Sequence, residues 1–567
     1  MKSFVLTTSL VLLLALPVAQ LAQASGLSTL YNLTGTQNDE LFGYPIGFIG
    51  DVNNDTYEDF AVGSLGYDTA YTDSGRVQIY SGQTGSVIRQ HTQPVDPEGI
   101  TNPNNAWFGS ALAGIGDVNG DGNDDYAILD PRYSTGLLSA GGTTLNELGR
   151  VIAYSGADGS ELWSYIGTVP FQFKFGNSLM MLTSDRNSDG KRDIAVGAPA
   201  MGVSAQNAGA ILILDSTNGN LITQYDGTRE DESVGSRFST GFDINGDTVE
   251  DFVIGDSFYT NIQFAQGRVI VLSGSDFSTI YTQDTTTPER FGAFGVSVGF
   301  VDDVNNDSTV DFAASSRETV AGQPRAGSIR VFSGATNTLL TQYSGTSRYQ
   351  LFGNSITVLG DINNDGYNDI ASLSVMENGQ GRANVVNSKL QLFWDQIAAG
   401  AGESGGADAD GRGIDINKDG RPDFIFGAPG AKVGADERGR ARVVISDHTH
   451  VQTGSNIEVY PVLGDISFKL VFSSVTGAGN VGYSYLGQTS TGATFRTRQG
   501  AKEEGWNITT TATRSGATSI CLKWDTAVGY NESQLQLQHF EGGSWIQIST
   551  SSDLVNKIIC GSTSQSL

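Results

Sequence analysis

A nine-residue acidic segment recurs seven times along this chain, and this repeat constrains the fold more than any other feature. Every copy has Asp at its first, fifth and ninth positions and Asn at its third, and neighbouring copies start 54 to 68 residues apart. Each copy leads into a short apolar run, and phrases such as GRVQIYSG and LITQYDG follow, so each unit reads as four short strands. Such units cannot bury their faces alone, and seven of them predict an all-β, seven-bladed β-propeller. The copies are residues 51–59, 117–125, 185–193, 243–251, 303–311, 361–369 and 415–423.

The first repeat-like strand predicts how the ring closes. Segment 28–43, STLYNLTGTQNDELFG, parallels segment 338–353, which ends one unit and leads into the next. The seventh unit, by contrast, stops after its third strand, GRARVVIS at 439–446. We therefore expect Leu27–Thr34 to supply the outer strand of the last blade.

The acidic segments have the composition of a cation-binding loop. Side chains at positions one, three, five and nine and the backbone carbonyl at position seven offer only oxygen ligands. Such a cage favours a hard cation, and calcium accepts about 6–8 oxygen ligands in a looser geometry than magnesium requires. The predicted ligands for up to seven Ca²⁺ ions are Asp51, Asn53, Asp55, Tyr57, Asp59, Asp117, Asn119, Asp121, Asn123, Asp125, Asp185, Asn187, Asp189, Lys191, Asp193, Asp243, Asn245, Asp247, Val249, Asp251, Asp303, Asn305, Asp307, Thr309, Asp311, Asp361, Asn363, Asp365, Tyr367, Asp369, Asp415, Asn417, Asp419, Arg421 and Asp423.

The charge of the chain agrees with bound cations, since its formal net charge is −28. The alternative is a set of solvated turns, because Asp and Asn are common turn residues. Four fixed polar positions repeated seven times argue against that alternative. Position six is Gly in four copies but Thr56, Thr248 and Ser308 in the others, where a strained turn forms less easily. We expect those three sites to be the weakest.

A Phe-Gly dipeptide lies about ten residues before most acidic segments. These pairs, the D-x-N-x-D-x-x-x-D segments and strands such as DIAVGAP resemble the FG-GAP repeats of integrin α-subunit propellers and their bacterial relatives. The resemblance covers residues 27–447 and implies a seven-bladed propeller with calcium in its blade loops. Integrin propellers carry fewer such loops, so a cage in every blade is a departure from the family. The pairs are Phe42-Gly43, Phe108-Gly109, Phe175-Gly176, Phe291-Gly292 and Phe352-Gly353, with Phe238-Ser239 in the fourth unit.

The N-terminus has the composition of a secretory signal peptide. Lys2 precedes the apolar run Phe4–Leu16, and AQA at 22–24 supplies a cleavage site. We expect residues 1–24 to be removed and residues 25–447 to form the propeller of a protein that is secreted or displayed at the cell surface. No segment reaches the ~20 apolar residues of a membrane-spanning helix.

Residues 448–567 lack the repeat, and their alternating pattern is typical of β-strands. This pattern predicts a small C-terminal β-sandwich. Cys521 and Cys560 are the only two cysteines. An exported protein meets an oxidising compartment, so we expect them to form a disulfide; two buried free thiols are the alternative.

The functional prediction is a non-enzymatic, adhesion-like propeller that binds a protein or a glycan. The negative charge argues against nucleic acid and anionic membranes as partners. GVSVG around Ser297 matches a nucleophile elbow but lies on a predicted strand. His448 and His450 are predicted to lie in a solvated linker. A propeller-type polysaccharide lyase or other carbohydrate-active enzyme, and a structural envelope or matrix protein, are the alternatives.

The partner is predicted to bind on the face opposite the acidic loops, because long loops on a rigid scaffold carry most binding sites. Aromatic residues and arginines of the first two blades are the predicted anchors, and packing between blades is the alternative for Trp107. The anchors are Tyr67, Tyr71, Trp107, Arg132 and Tyr133.

Overall fold

The structure, a computed structural model, is all-β in the part of the chain that it describes. None of its described segments is a helix with the length and apolarity needed to cross a membrane. Residues 1–26, and with them the predicted signal peptide, lie outside the described residues. The described residues are 27–94, 104–133, 148–167, 178–202, 205, 207–285, 288–362, 367–377, 380–390, 392–397, 408–411, 413–418, 422–446, 450–451, 454–459, 469–477, 479–485, 495–499, 502–510, 513–523, 536–541, 544–553 and 558–563.

The predicted seven-bladed propeller is confirmed. Seven antiparallel sheets of four strands surround a central cavity of about 460 Å³, which the innermost strands line. From the innermost strand outward, the blades are Phe42–Gly50, Asp59–Ser64, Arg76–Tyr80 and Val87–Thr92; Leu112–Gly116, Asp125–Asp130, Arg150–Tyr154 and Glu161–Ile166; Leu179–Met181, Ile194–Ala198, Ala210–Leu214 and Leu221–Asp226; Phe238–Phe242, Asp251–Asp256, Arg268–Leu272 and Thr279–Asp284; Val298–Phe300, Phe312–Ser316, Ser328–Phe332 and Leu339–Ser344; Ser355–Gly360, Asp369–Glu377, Gln380–Asn387 and Leu392–Ile397; and Asp408–Asp410, Phe424–Ala428, Arg440–Ser446 and Leu27–Thr34. A small hairpin, Lys432–Val433 with Asp436–Glu437, projects from the seventh blade.

The hydrophobic pattern of each strand matches its position in the blade. The second strand Ile194–Ala198 is buried at every position and apolar throughout, as expected for a strand covered on both faces. The fourth strand Leu221–Asp226 has only exposed and half-buried positions, since its outer face meets solvent.

Ring closure occurs as predicted. Leu27–Thr34 pairs antiparallel with Arg440–Ser446 and forms the outer strand of the seventh blade. The Tyr31 hydroxyl of this strand donates to the carbonyl of Gly82 in the first blade at 3.0 Å, and its ring stacks on Phe60. The two ends of the propeller sequence therefore share one sheet.

Phenylalanines at or just before the start of the innermost strands fill the spaces between blades. Phe42, Phe108 and Phe352 are at most 2% exposed. The glycine that follows must approach the neighbouring backbone closely, because a Cβ on Gly43 would lie 2.3 Å from the carbonyl oxygen of Arg440, and its φ is +99°.

The dipeptides noted in the sequence do not mark this packing residue in every blade. In the fifth blade the packing role belongs to Phe294-Gly295, since Phe294 is 1% exposed whereas Phe291 is 40% exposed. In the fourth blade it belongs to Val234-Gly235, and Phe238-Ser239 instead starts the innermost strand. Phe175-Gly176 lies outside the described residues. In both blades a second dipeptide lies three or four residues away, so the sequence alone does not indicate which one packs between the blades.

Beyond the propeller, the described residues form two antiparallel sheets, in agreement with the predicted β-structure. Cys521 lies directly opposite Cys560 on neighbouring strands, the placement that a disulfide requires. In order across each sheet, the strands are His450–Val451, Gly479–Tyr485, Lys502–Thr510, Phe495–Gln499, Gln536–Glu541 and Ser544–Gln547, and Gly454–Val459, Lys469–Gly477, Thr513–Lys523, Ile558–Thr563 and Ser549–Asp553.

Candidate metal centre

The acidic loops lie on one face of the ring, where each joins the first and second strands of a blade. The turn between the third and fourth strands lies beside the loop. In the first blade the backbone N–H of Gly82 donates to the carboxylate of Asp59 at 2.9 Å. Gly156, Gly274 and Gly334 make the same contact with the ninth-position Asp of their own loops at 2.9 to 3.0 Å.

The first loop shows how the backbone brings the side-chain oxygens together. The N–H of Asp55 donates to Oδ1 of Asp51 at 3.0 Å and to Oδ1 of Asn53 at 2.9 Å. The N–H of Tyr57 then donates to Oδ1 of Asp55 at 2.9 Å. These local bonds hold the side chains of positions one, three and five around the same turn.

The next four loops repeat this arrangement. The N–H of each fifth-position Asp donates to the first- and third-position side chains at 2.9 to 3.2 Å. In the fourth loop, carboxylate oxygens of Asp243, Asp247 and Asp251 lie within 4.8 Å of one another. One calcium ion can span that separation, because its oxygen ligands lie about 2.3–2.6 Å from the metal.

The sixth and seventh loops are described only in part. Their ninth-position residues, Asp369 and Asp423, accept the N–H groups of Ile362 at 2.8 Å and Ile416 at 3.0 Å. Asp59 of the first loop accepts the equivalent bond at 3.1 Å, so both loops start and end as the first one does. The predicted ligands that lie outside the described residues are Asn363, Asp365, Asp419 and Arg421.

Position six has a left-handed backbone in the first five loops, with or without glycine. Gly122 and Gly190 have φ of +91°, while Thr56, Thr248 and Ser308 have φ of +70° to +73°. In all five loops the N–H of this residue donates to the first-position Asp at 2.6 to 3.0 Å. The turn therefore keeps one geometry, and the threonines and serine carry backbone strain that glycine lacks.

The ninth-position carboxylates are buried. Burial raises the pKa of Asp59 to about 7 and the pKa of Asp193 to about 6, because loss of water disfavours the ionised form. Burial also raises the pKa of Asp125, Asp251 and Asp311. A cation beside these groups would favour their ionised form.

The third loop contains a buried oxygen that tests whether a cation fits. Asp193 Oδ2 accepts the N–H of Arg186 at 2.6 Å, whereas its Oδ1 has no hydrogen-bond partner among the described residues. The neighbouring turn has Asp215-Ser216 where four other blades have Ser-Gly, and the charge of Asp215 further raises the pKa of Asp193. A buried carboxylate oxygen without a donor is costly unless a cation lies against it. The donor set therefore fits a hard cation.

Hydroxyl groups that the acidic repeat did not predict complete the loops. Ser155, Ser273 and Ser333 of the third-to-fourth-strand turns donate to the fifth-position Asp of their blades at 3.0 to 3.2 Å. In the fourth loop, hydrogen bonds lower the pKa of Asp247 to about 2, and the bond from the Ser275 hydroxyl contributes most to that shift. The sequence feature that could have indicated these hydroxyl groups is the recurring Ser-Gly that ends GRVQIYSG and its counterparts.

Neighbouring loops also contact each other through position eight, which the sequence analysis left unassigned. The N–H of Asp51 in the first loop donates to Oδ2 of Asp124 in the second loop at 2.9 Å. Glu250 of the fourth loop likewise accepts the N–H of Thr183, beside the third loop, at 2.9 Å. These contacts link candidate cation sites of adjacent blades.

The loops on the opposite face only partly match the predicted anchors. Trp107 is 41% exposed, and the Arg132 guanidinium lies 3.8 Å from its ring centre, so it does not pack between blades. Tyr71 is exposed and Tyr67 is half-buried. Tyr133 is 9% exposed and lies under an arginine, so it contributes little to this surface.

Residues considered for catalysis have other roles or lie elsewhere. The Ser297 hydroxyl accepts the N–H of Ile356 at 3.1 Å and donates to its carbonyl at 3.3 Å. Ser297 thus joins the fifth and sixth blades and is 4% exposed. His450 lies in a two-residue strand, and His448 is outside the described residues.

Comparison with curated proteins finds similarity to integrin α chains. Integrin alpha-8 of Gallus gallus is 30% identical over 213 residues, which are 35% of this chain and 20% of that protein. Integrin alpha-5 of Xenopus laevis is 26% identical over 259 residues, 42% of this chain and 22% of that protein. Integrin alpha-2 of Bos taurus is 27% identical over 231 residues, 38% of this chain and 17% of that protein.

This chain spans about a fifth of the length of these relatives. No family model matches it. The names of the three relatives are not those of enzymes, which agrees with the prediction that the chain is not an enzyme.

Proposed function

We propose, from the finding that this chain contains an FG-GAP propeller of the integrin α type, that it is an exported, calcium-binding protein that attaches to a partner in the manner of an adhesion protein. The observation that carries the calcium assignment is the oxygen-only loop repeated in the blades, with three carboxylates within 4.8 Å of one another in the fourth. Thermal unfolding with calcium and with a chelator is the experiment that tests it.

Each ion would be held by the side chains at positions one, three, five and nine and by the carbonyl at position seven. Bound calcium supplies positive charge to loops whose ninth-position carboxylate is buried. The chain's own residues prepare the site, because the turn hydroxyls and backbone N–H groups already hold the carboxylates in place. Calcium would then fasten the innermost strand of each blade to the second strand.

The partner is proposed to be a protein bound on the face opposite the acidic loops. The relatives are named as integrin α chains, and the loops of that face carry exposed aromatic residues such as Trp107 and Phe264. Biolayer interferometry against a panel of extracellular proteins and glycans, with calcium present, tests this function. Binding to a protein supports it, binding only to glycans favours the glycan alternative, and cleavage of a polysaccharide contradicts it.

Export and the domain boundaries are part of the same proposal. A signal peptide over residues 1–24 would deliver the chain to an oxidising, calcium-containing compartment outside the cell. The propeller would extend over residues 25–447 and the second β-structure over 448–567. N-terminal sequencing of the secreted protein tests cleavage after Ala24.

A further inference from the structure

An exposed group of aromatic and arginine side chains lies opposite the acidic loops, across the fourth, fifth and sixth blades. Phe264 is 55% exposed, Phe291 40% and Tyr349 46%, although large apolar rings normally avoid water. We call this group the aromatic–arginine patch. Its members are Phe264, Phe291, Tyr349, Arg290, Arg325 and Arg348.

The patch is one continuous surface built from four loops. The rings of Phe264 and Phe291 meet edge to face with 5.3 Å between centres, and the N–H of Phe291 donates to the carbonyl of Phe264 at 2.9 Å. The Arg325 guanidinium lies 5.9 Å from the centre of the Phe291 ring. The N–H of Tyr349 donates to the carbonyl of Pro324 at 2.8 Å, which ties the last loop to the third.

Two patch residues have a left-handed backbone at a position where other blades carry Asp or Asn. Phe291 and Tyr349 have φ of +61° and +59°, a left-handed conformation that is rare for bulky residues. The equivalent positions of three other blades have the same conformation but carry Asp or Asn, which tolerate it best. Those positions are Asp39, Asn105 and Asp231.

Packing among the described residues does not explain why Phe291 and Tyr349 stand where other blades have Asp or Asn. Phe291 is not the buried phenylalanine of its blade, since Phe294 has that role. Strained residues tend to persist at functional sites, where the side chain is needed for something other than folding. The exposed rings of Phe291 and Tyr349 therefore indicate a contact surface.

The charge of the patch is opposite to that of the chain. Arg290, Arg325 and Arg348 are exposed, and within the described structure none of them forms an ion pair. The neighbouring carboxylate of Glu289 instead accepts the N–H and hydroxyl of Thr319, both at 2.6 Å. In a chain of net charge −28, three guanidinium groups that form no ion pair among the described residues make a local cationic surface beside the exposed rings.

We propose that the aromatic–arginine patch binds an acidic protein segment that also carries apolar side chains. The inference rests on the proposed adhesion-like function and assigns it a location and a partner chemistry. Exposed guanidinium groups pair with carboxylates, and aromatic rings with arginine are the side chains that dominate binding energy at protein interfaces. An anionic membrane fits less well, because the rest of this acidic chain would be repelled by it.

The test uses the full chain with calcium and a fluorescent peptide of alternating Glu and Leu, compared with a matched peptide of Lys and Leu. We expect tighter binding of the acidic peptide, weakened by salt. Phe291→Asn, Tyr349→Asn and Arg325→Glu should each weaken that binding about tenfold or more. Both Asn variants should melt at the wild-type temperature or above it, because Asn relieves the left-handed strain.

Leu41→Asn is the matched control, since it removes an exposed apolar side chain that has the same left-handed backbone, with φ of +57°, from the same face at the first blade. It should leave binding of the acidic peptide unchanged. Equal binding of both peptides, preference for the lysine peptide, no binding, or loss of binding only in variants that melt lower would each overturn the inference. None of those results would contradict the proposed calcium-dependent adhesion. A melting temperature that does not change with calcium would contradict the proposed function but would not affect the peptide-binding result.

Discussion

The backbone N–H of Asp51, the first position of the first acidic loop, donates to the carboxylate of Asp124 in the second loop at 2.9 Å. The N–H of Asp124 returns a bond to the carbonyl of Asp51 at 3.0 Å. A Cβ on Gly50 would lie 2.3 Å from Oδ2 of Asp124, so the two loops also pack closely. A candidate cation site in one blade is therefore held partly by its neighbour.

Asp124→Ala should lower the free energy of unfolding by about 1–3 kcal/mol, because it removes a charge-assisted hydrogen bond from the first loop. It should also weaken calcium binding, since Asp51 loses support. Chemical unfolding and a calcium titration measure the two effects. Glu230→Ala, which removes an exposed carboxylate away from the acidic loops, is the control. Equal effects of the two substitutions would contradict the link between loops.

Position six allows backbone strain to be separated from ligand chemistry. Thr248→Gly should raise the free energy of unfolding by about 1 kcal/mol, because Thr248 has a left-handed backbone that glycine adopts without strain. Gly122→Thr should lower it by a similar amount. A Cβ on Gly122 meets no atom within 4 Å, so a clash would not explain the loss. Thermal unfolding of both variants with calcium is the measurement, and changes of the same sign would refute the argument.

Asp256 predicts a pH dependence. Its carboxylate is buried 2.9 Å from Nε of Arg268, and burial raises its pKa to about 7 although the arginine opposes that shift. The folded chain therefore holds this proton more tightly than the unfolded chain, whose Asp pKa is about 3.9. Through this group, the free energy of unfolding is highest at low pH and falls as the pH rises from about 4 to about 7.

Asp256→Asn should remove that loss, so its stability relative to wild type should rise between about pH 4 and about pH 7 and then stay level. Chemical unfolding across this range, with saturating calcium to keep the acidic loops loaded, measures the difference. Glu230→Gln serves as the exposed control and should follow the wild-type profile. Parallel profiles for wild type and Asp256→Asn would show that the buried carboxylate is not the cause.

The cysteines predict a covalent link in the C-terminal sheet. Cys521 and Cys560 face each other in register, so the exported protein should contain one disulfide and no free thiol. Intact mass before and after alkylation, with and without reductant, detects it. Cys560→Ser should lower the stability of this part of the chain by about 2–4 kcal/mol. Alkylation of both thiols without reductant would disprove the bond.

The repeat made the propeller and its acidic loops predictable, because four polar positions and four strands recur at nearly constant spacing. The outer strand Leu27–Thr34 could also be predicted, since the seventh unit lacks one. The position of the phenylalanine that packs between blades was harder to predict in the fifth blade, because both Phe291-Gly292 and Phe294-Gly295 match the dipeptide. Only packing distinguishes the buried phenylalanine from the exposed one.

Contacts between units could not be read from a pattern within one unit. The bond from Asp51 to Asp124 joins residues of different blades, and the arginine above Tyr133 buries a ring that sequence alone placed on the surface. The hydroxyl of Ser273 reaches Asp247 only after the blade has folded. Such contacts depend on the relative positions of strands, which local sequence does not specify.

Thermal unfolding with calcium and with a chelator tests the central claim most directly. At ~1 mM Ca²⁺ a site with a Kd of ~0.1 mM adds about 1.4 kcal/mol, and several sites add together. We expect the chelator to lower the melting temperature sharply, calcium to restore it and magnesium to restore it less. An identical melting temperature with calcium and with chelator would contradict the assignment of these loops as calcium sites.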